Sequence, residues 1–181
     1  MANKRGIPTH THHAVTAIDR AHKTVSVTDL DTGRQFQRPY DKLVIATGAV
    51  PIRPDIPGTE LDGVYYLRTV EDGIFLKQAL STRRRIAILG GGFIGLEMAE
   101  NLHRAGLSLS VIEMQKQVMA PLDYEMARLL HENMEMNGVE LILEDGVKQF
   151  CQKENQVELL LASGKTIRTD MVILSIGVRP N

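Results

Sequence analysis

Apolar residues fall along this chain in two rhythms, and the change from one to the other marks its organisation. Near the start, Ala14-Val15-Thr16-Ala17-Ile18, Thr24-Val25-Ser26-Val27-Thr28 and residues 35–38 read as short strands, with the two-residue period clearest in the second. Turn-prone Asp19-Arg20-Ala21-His22 and Asp31-Thr32-Gly33 separate them, so they predict a three-stranded antiparallel meander. Lys42-Leu43-Val44-Ile45-Ala46 is a different kind of run, continuously apolar, as in a strand buried on both faces; it ends at Thr47-Gly48. Residues 50–58 carry Pro51, Pro54 and Pro57, which exclude a helix or a central strand and point to a linker.

Beyond the linker the rhythm becomes that of an α/β protein. Residues 64–67 predict a short strand, and Thr69 or its neighbour caps a helix to about Leu80, with Ile74, Leu76 or Phe75, and Leu80 facing inward. A buried strand at 85–89, a helix at 93–105 closed by Gly106 and a strand at 108–112 follow. Asp123 caps a helix to about Asn137, with Gly138 just past its end and Met126, Leu129, Leu130 and Met134 at helical spacing. Residues 139–143 read as a parallel-type strand, 147–151, 157–162 and 165–168 as a second meander, and Met171-Val172-Ile173-Leu174 as a last buried strand running to Gly177. The short early strands cannot bury a core alone, and the runs at 42–46 and 171–175, each reading as buried on both sides, lack partners, so the chain is expected to be a piece of a larger protein.

Between the strand at 85–89 and the helix at 93–105 stands Gly90-Gly91-Gly92-Phe93-Ile94-Gly95, a Gly-x-Gly-x-x-Gly corner. Gly90 permits the tight turn, Gly92 lets backbone approach a pyrophosphate, and Gly95 lets helix and strand pack closely. The first amides of the helix lack partners and carry the positive end of its dipole, so they suit a diphosphate. Val111-Ile112-Glu113 closes the next strand with an acid at the interval a ribose-binding carboxylate occupies. Glu113 therefore favours NAD(H) over NADP(H), whose 2′-phosphate it would repel, although Lys116 lies near enough to reach that phosphate. The expected fold is α/β, a Rossmann-like NAD-binding domain of parallel sheet, helices and an antiparallel meander.

Taken together, Tyr40-Asp41-Lys42-Leu43-Val44-Ile45-Ala46-Thr47-Gly48-Ala49, residues 90–100, Gln117-Val118-Met119-Ala120-Pro121-Leu122-Asp123 and residues 170–181 resemble the flavin-dependent pyridine nucleotide–disulfide oxidoreductases, in particular the coenzyme A-disulfide reductase and NADH oxidase branch. The resemblance covers nearly the whole chain. It implies a flavin domain split in sequence, with the NAD domain inserted into it and a C-terminal dimerisation domain beyond. On that basis residues 1–60 are expected to be a partial flavin-domain segment with the linker, 61–174 the NAD domain and 175–181 the return crossing. The resemblance further implies that Gly177 contacts NAD(H) through its backbone and that Glu97 points to the nicotinamide–flavin junction. It also implies that Val15, Thr47 and Gly48 lie near FAD in the parent. The family's N-terminal flavin glycine motif, its redox cysteine segment and its C-terminal domain find no match here, so the chain alone is expected neither to turn over nor to bind FAD well. The parent is expected to be a homodimer that passes hydride from NADH to flavin and on to a disulfide, oxygen or peroxide. Two alternatives are an NADH-dependent reductase of an iron–sulfur electron carrier and a non-catalytic NAD-binding or redox-sensing module.

Composition narrows this picture by exclusion. With 181 residues and 43% hydrophobic content the chain can hold a real core, and a net charge of −1 gives no footprint for nucleic acid or an anionic membrane. No apolar run approaches the roughly 20 residues of a membrane helix, and the start Met1-Ala2-Asn3-Lys4-Arg5-Gly6 lacks a signal-peptide core, which makes the cytoplasm the expected address. Lone Cys151 excludes an internal disulfide, matches no catalytic position and is expected to be inert. His10, His12 and His13 lack nearby carboxylates or thiols and are not expected to bind metal. His103 and His131 are expected to be exposed on helices, the methionines from Met114 to Met136 to be packing residues, and Arg83-Arg84-Arg85 to be a solvated loop.

Overall fold

The structure, a computed structural model, describes residues 6–181 and divides the chain into two compact units, Met1–Ala46 and Thr47–Asn181. Met1–Arg5, part of the segment tested for a signal peptide, lie outside the described residues. The linker and the C-terminal return both fall within the second unit.

The first unit is the expected meander: β1 (His13–Asp19), β2 (Thr24–Asp29) and β3 (Gln35–Pro39), paired antiparallel in that order. Alternation along β2 buries Val25 and Val27 on one face, and the β1 register shifts between Val15 and Ala17. Residues 42–46 do not form the buried strand that their composition predicts. No strand among the described residues pairs with them, and Val44 and Ile45 are 86% and 68% exposed.

The second unit is built on a five-stranded, all-parallel sheet. Its strands are β5 (Val64–Tyr66), β6 (Arg85–Leu89), β7 (Ser108–Ile112), β8 (Glu140–Ile142) and β12 (Met171–Leu174), in spatial order β5-β12-β6-β7-β8. Parallel neighbours require crossovers, and the chain supplies helices α1 (Val70–Ala79), α2 (Phe93–Arg104) and α3 (Tyr124–Met136). The meander β9 (Val147–Lys153), β10 (Gln156–Leu161), β11 (Thr166–Thr169) leads into β12. The pleat divides each central strand between two cores. Ile86, Ile88, Met171 and Ile173 meet Leu76 of α1 and Ala99 and Leu102 of α2, whereas Ala87, Leu89, Val172 and Leu174 pack with Phe150, Leu159 and Leu161 of the meander. Asp170 fastens the entry to this sheet, accepting the N–H groups of Arg84 and Arg85 at 2.8 and 3.0 Å and the Gln156 amide at 2.7 Å.

Four further expectations are corrected. The apolar run at 171–174 does not lack partners, since as β12 it lies between β5 and β6. The proline-rich stretch contains a strand, β4 (Ala49–Pro51), which pairs antiparallel with β13 (Val178–Pro180); a two-stranded ribbon has only edges, where proline is tolerated. On α1 only Leu76 is buried, while Ile74 and Phe75 are exposed. On α3 Met126 and Leu129 face outward, and Ala127 and His131 are buried instead.

Candidate dinucleotide-binding site

The parallel order places the carboxyl ends of β6, β7 and β12 side by side, and the chain leaves β6 for α2 on one flank while β12 arrives on the other. Such a switch point opens a crevice at the strand ends. Gly90 leaves β6 at φ +101°, and a Cβ there would stand 2.5 Å from the Ser175 carbonyl oxygen. At Gly95 a Cβ would overlap the Gly90 carbonyl oxygen and crowd Ser175 Oγ at 2.8 Å. The close approach of α2 to the end of β6 thus depends on hydrogen at Gly95, and that of the chain leaving β12 on hydrogen at Gly90. Gly92 differs: its φ is −82° and a Cβ would meet nothing within 4 Å. Only at this glycine of the corner is space left open rather than filled by protein.

Among the described residues no side chain satisfies the start of α2. Gly92 is its N-cap, no side chain caps it, and no acid stands in its first turn. At α1, by contrast, Thr69 and Asp72 form a reciprocal capping box, the Asp72 carboxylate accepting from the Thr69 N–H at 2.8 Å. Helix geometry leaves the first-turn amides around Phe93, Ile94 and Gly95 free for an anion. Phe93 and Ile94 are exposed, as is Glu97 one turn on.

Glu113 faces this corner. Its Oε2 accepts the Gly91 N–H at 2.7 Å and its Oε1 accepts the Gln115 N–H at 2.8 Å. Beside it lies a recess of about 300 Å³, walled by Leu89, Ile112, Met114, Asp145, Val147 and Ile176. Sequence reasoning missed Met114, Asp145 and Val147. They follow β7 and β8, so the pairing of those two strands was the signal that could have found them. Ser163 donates its hydroxyl to Asp145 at 2.6 Å, which, with backbone N–H groups, holds the Asp145 carboxyl below the ordinary range and pins the recess wall.

Gly177, at φ +114°, follows β12 beyond Ser175, whose hydroxyl lies 2.8 Å from the Leu89 carbonyl oxygen. The residues read for the dinucleotide, Gly90 to Gly95, Glu97, Glu113 and Gly177, thus lie on α2 or at the carboxyl ends of neighbouring strands. Of the residues read for FAD, Thr47 and Gly48 are held by Asn181 (side chain to Thr47 O, 2.8 Å; N–H to Gly48 O, 3.1 Å), while exposed Val15 lies on β1 of the other unit. A larger cavity of about 860 Å³, lined in part by Arg53, Tyr66, Arg68 and Arg179, includes none of the glycine corner. Among the described residues no cluster of His, Cys, Asp or Glu is placed to hold a metal, and no helix is long and apolar enough to cross a membrane. Cys151 is half-buried on β9.

A parallel sheet whose switch point carries an uncapped, glycine-lined helix start and a carboxylate beyond it defines a dinucleotide-binding domain of Rossmann type. The chain belongs to the pyridine nucleotide-disulphide oxidoreductase family, whose sequence pattern matches residues 2–181. It is 38% identical over 181 residues to an NADH oxidase of Methanocaldococcus jannaschii, covering 98% of this chain and 40% of that protein. In structure it is similar to reduced Bacillus anthracis CoADR-RHD (TM-score 0.80, 40% identity, 93% of this chain and 30% of the other). It is also similar to a water-forming NADH oxidase from Lactobacillus brevis bound to NADH (TM-score 0.77, 33% identity, 93% and 38%). The chain therefore spans well under half the length of these relatives.

Proposed function

We propose that this chain is the NAD(H)-binding portion of a flavin-dependent oxidoreductase that takes hydride from NADH. The observation that carries the reading is the open face at Gly92, beside an α2 start that no side chain caps. Diphosphate oxygens accept from the first amides of α2 there, and Glu113, already turned to the loop by Gly91, accepts from the hydroxyls of the adenosine ribose. The recess between Glu113 and Val147 takes the adenine. Bound NADH would supply the hydride and FAD of the whole protein would accept it, while this chain's part is placement and electrostatics. Exposed Glu97 and Gly177 lie toward the nicotinamide end. The likeness to CoADR-RHD and to the NADH oxidases favours a disulfide, such as that of coenzyme A, or oxygen or peroxide as final acceptor, and the whole protein is proposed to be a homodimer.

Titration of the chain with NADH, NADPH and FAD in parallel tests this reading. NADH is expected to bind, NADPH more weakly and FAD negligibly. Glu113→Ala is expected to weaken NADH by about tenfold, the worth of one charge-assisted hydrogen bond, and to narrow the gap to NADPH. Equal binding of the two coenzymes by the unaltered chain, or no effect of Glu113→Ala, contradicts the assignment.

A further inference from the structure

His131 is a buried imidazole with one conspicuous engagement. Its Nε2 lies 3.2 Å from the Val118 backbone nitrogen and accepts that N–H, across 13 residues of chain. Val118 is fully buried, and its Cγ1 fills the space a Cβ on Gly91 would need, 2.7 Å away. The next residue, Met119, sits in the left-handed region at φ +50° and donates its N–H to the Gly91 carbonyl oxygen at 2.8 Å. Gly91 in turn donates to Glu113. The turn is closed on itself, Leu122 donating to Met119 O and the buried Gln117 amide to Leu122 O, each at 2.8 Å. Residues 117–122 therefore form a strap that clamps the middle of the glycine corner between Val118–Met119 and Glu113, and α3 holds the strap through one ring nitrogen.

We propose that His131 is a positioning residue for the dinucleotide corner, holding Gly91 in place through the Val118 N–H only while its imidazole is neutral. The proposal rests on the reading of Gly90–Gly95 as the diphosphate site. An imidazolium is a donor at both nitrogens and accepts nothing, so protonation sets one donor against another at a fully buried amide. Val118 and Met119 then move off Gly91, and coenzyme affinity falls as the pH falls.

The charged and titratable groups around His131 come from α3, α2 and the strap itself. The Tyr124 ring meets the imidazole edge-on at 6.5 Å, and Lys116 lies 5.2 Å from the Tyr124 ring. Along α3, Arg128 pairs with Glu132 at 3.2 Å, Glu135 is exposed, and Asp123 stands at the N-cap. On the groove between α2 and α3, α2 brings Glu100, His103 and Arg104. Exposed His103 is the imidazole among these, and His103→Gln is the control.

The test is NADH titration of the 181-residue chain at pH 8.0 and 6.0, with His131→Gln and His131→Leu, alongside amide hydrogen exchange at Val118 and Met119. Glutamine keeps a carbonyl acceptor that does not titrate, and leucine keeps bulk without an acceptor. The unaltered chain and His103→Gln are expected to bind NADH about threefold more weakly at pH 6.0 than at pH 8.0, because the loss follows the fraction of imidazole protonated rather than the full worth of the acceptor. His131→Gln should bind near the unaltered level at pH 8.0 and equally at pH 6.0. His131→Leu should bind about tenfold more weakly at both, with protection of the Val118 amide reduced. Affinity independent of pH, or Val118 protection equal in all variants, overturns the proposal. Failure of the unaltered chain to bind NADH at pH 8.0 overturns the dinucleotide reading instead, and the exchange data then still decide whether His131 holds the strap.

Discussion

Asp41-Lys42-Leu43-Val44-Ile45-Ala46-Thr47-Gly48 and Asp170-Met171-Val172-Ile173-Leu174-Ser175-Ile176-Gly177 are nearly the same sentence written twice: an acid, an apolar run, a small hydroxyl residue and a glycine in the left-handed region. In the second, every residue from Met171 to Leu174 is buried, all four pair with β6, and Val172 to Leu174 also pair with β5. In the first, Leu43, Val44 and Ile45 are exposed and no strand forms among the described residues. An apolar run thus specifies a demand for partners on both edges and both faces, and β5, β6, the helices and the second meander meet that demand only for the second run. The comparison also shows how a site arises. Both runs end in glycine, but only the second leaves its strand against the end of a parallel neighbour, Ser175 meeting Leu89 of β6 beside a helix start that no side chain caps.

A buried charge separates the two runs most forcefully. Ile173→Asp places a carboxylate in a fully buried position and is expected to cost at least about 4 kcal/mol, enough to unfold the second unit. Val44→Asp should leave thermal unfolding within about 0.5 kcal/mol of the unaltered chain. Circular dichroism melting separates them, and a comparable loss for Val44→Asp would show that the first run is packed after all.

The acids ahead of the two runs sharpen the contrast. Asp170 holds the N–H groups of Arg84 and Arg85, so Asp170→Ala is expected to destabilise by about 2 kcal/mol, whereas exposed Asp41→Ala should change nothing measurable by urea titration.

The smallest effect is a pH dependence. Burial pushes the Asp170 carboxyl up, but the N–H groups of Arg85 and Arg84 and the Gln156 amide outweigh it and hold it below the ordinary range. Hydrogen bonds from Ser163, Thr69 and Lys165 do the same for Asp145, Asp72 and Glu140 respectively. Groups with depressed folded values contribute stability that is full above their unfolded values and is lost as the pH falls through the folded ones. The melting temperature should therefore lose these contributions progressively below about pH 4, and Asp170→Ala should flatten part of that fall.

Much of this was legible because it is local. The bounds of β6 and β7 follow from short apolar runs, and Thr69, Gly106 and Gly138 announce helix ends through capping chemistry that acts within a turn. Most of the glycine corner was legible for the same reason. What escaped depends on distant chain. His131 is buried because the strap at 117–122 lies on α3, a contact that helical periodicity does not encode, and Met126 and Leu129 are exposed on the same helix. The recess wall at Asp145 and Val147 needed the β7–β8 pairing, and the strand at Ala49–Pro51 needed Val178–Pro180.

The central claim is that the open space at Gly92 and the free amides of α2 belong to a diphosphate. Gly92→Asp tests it most directly, because a Cβ fits there without contact and aspartate is a favourable N-cap. Measured by NADH titration beside a thermal melt, the variant should be as stable as the unaltered chain or slightly more so. It should lose at least about a hundredfold in affinity as its carboxylate takes the amides and repels the phosphates. Unchanged NADH affinity in a folded Gly92→Asp protein would contradict the account.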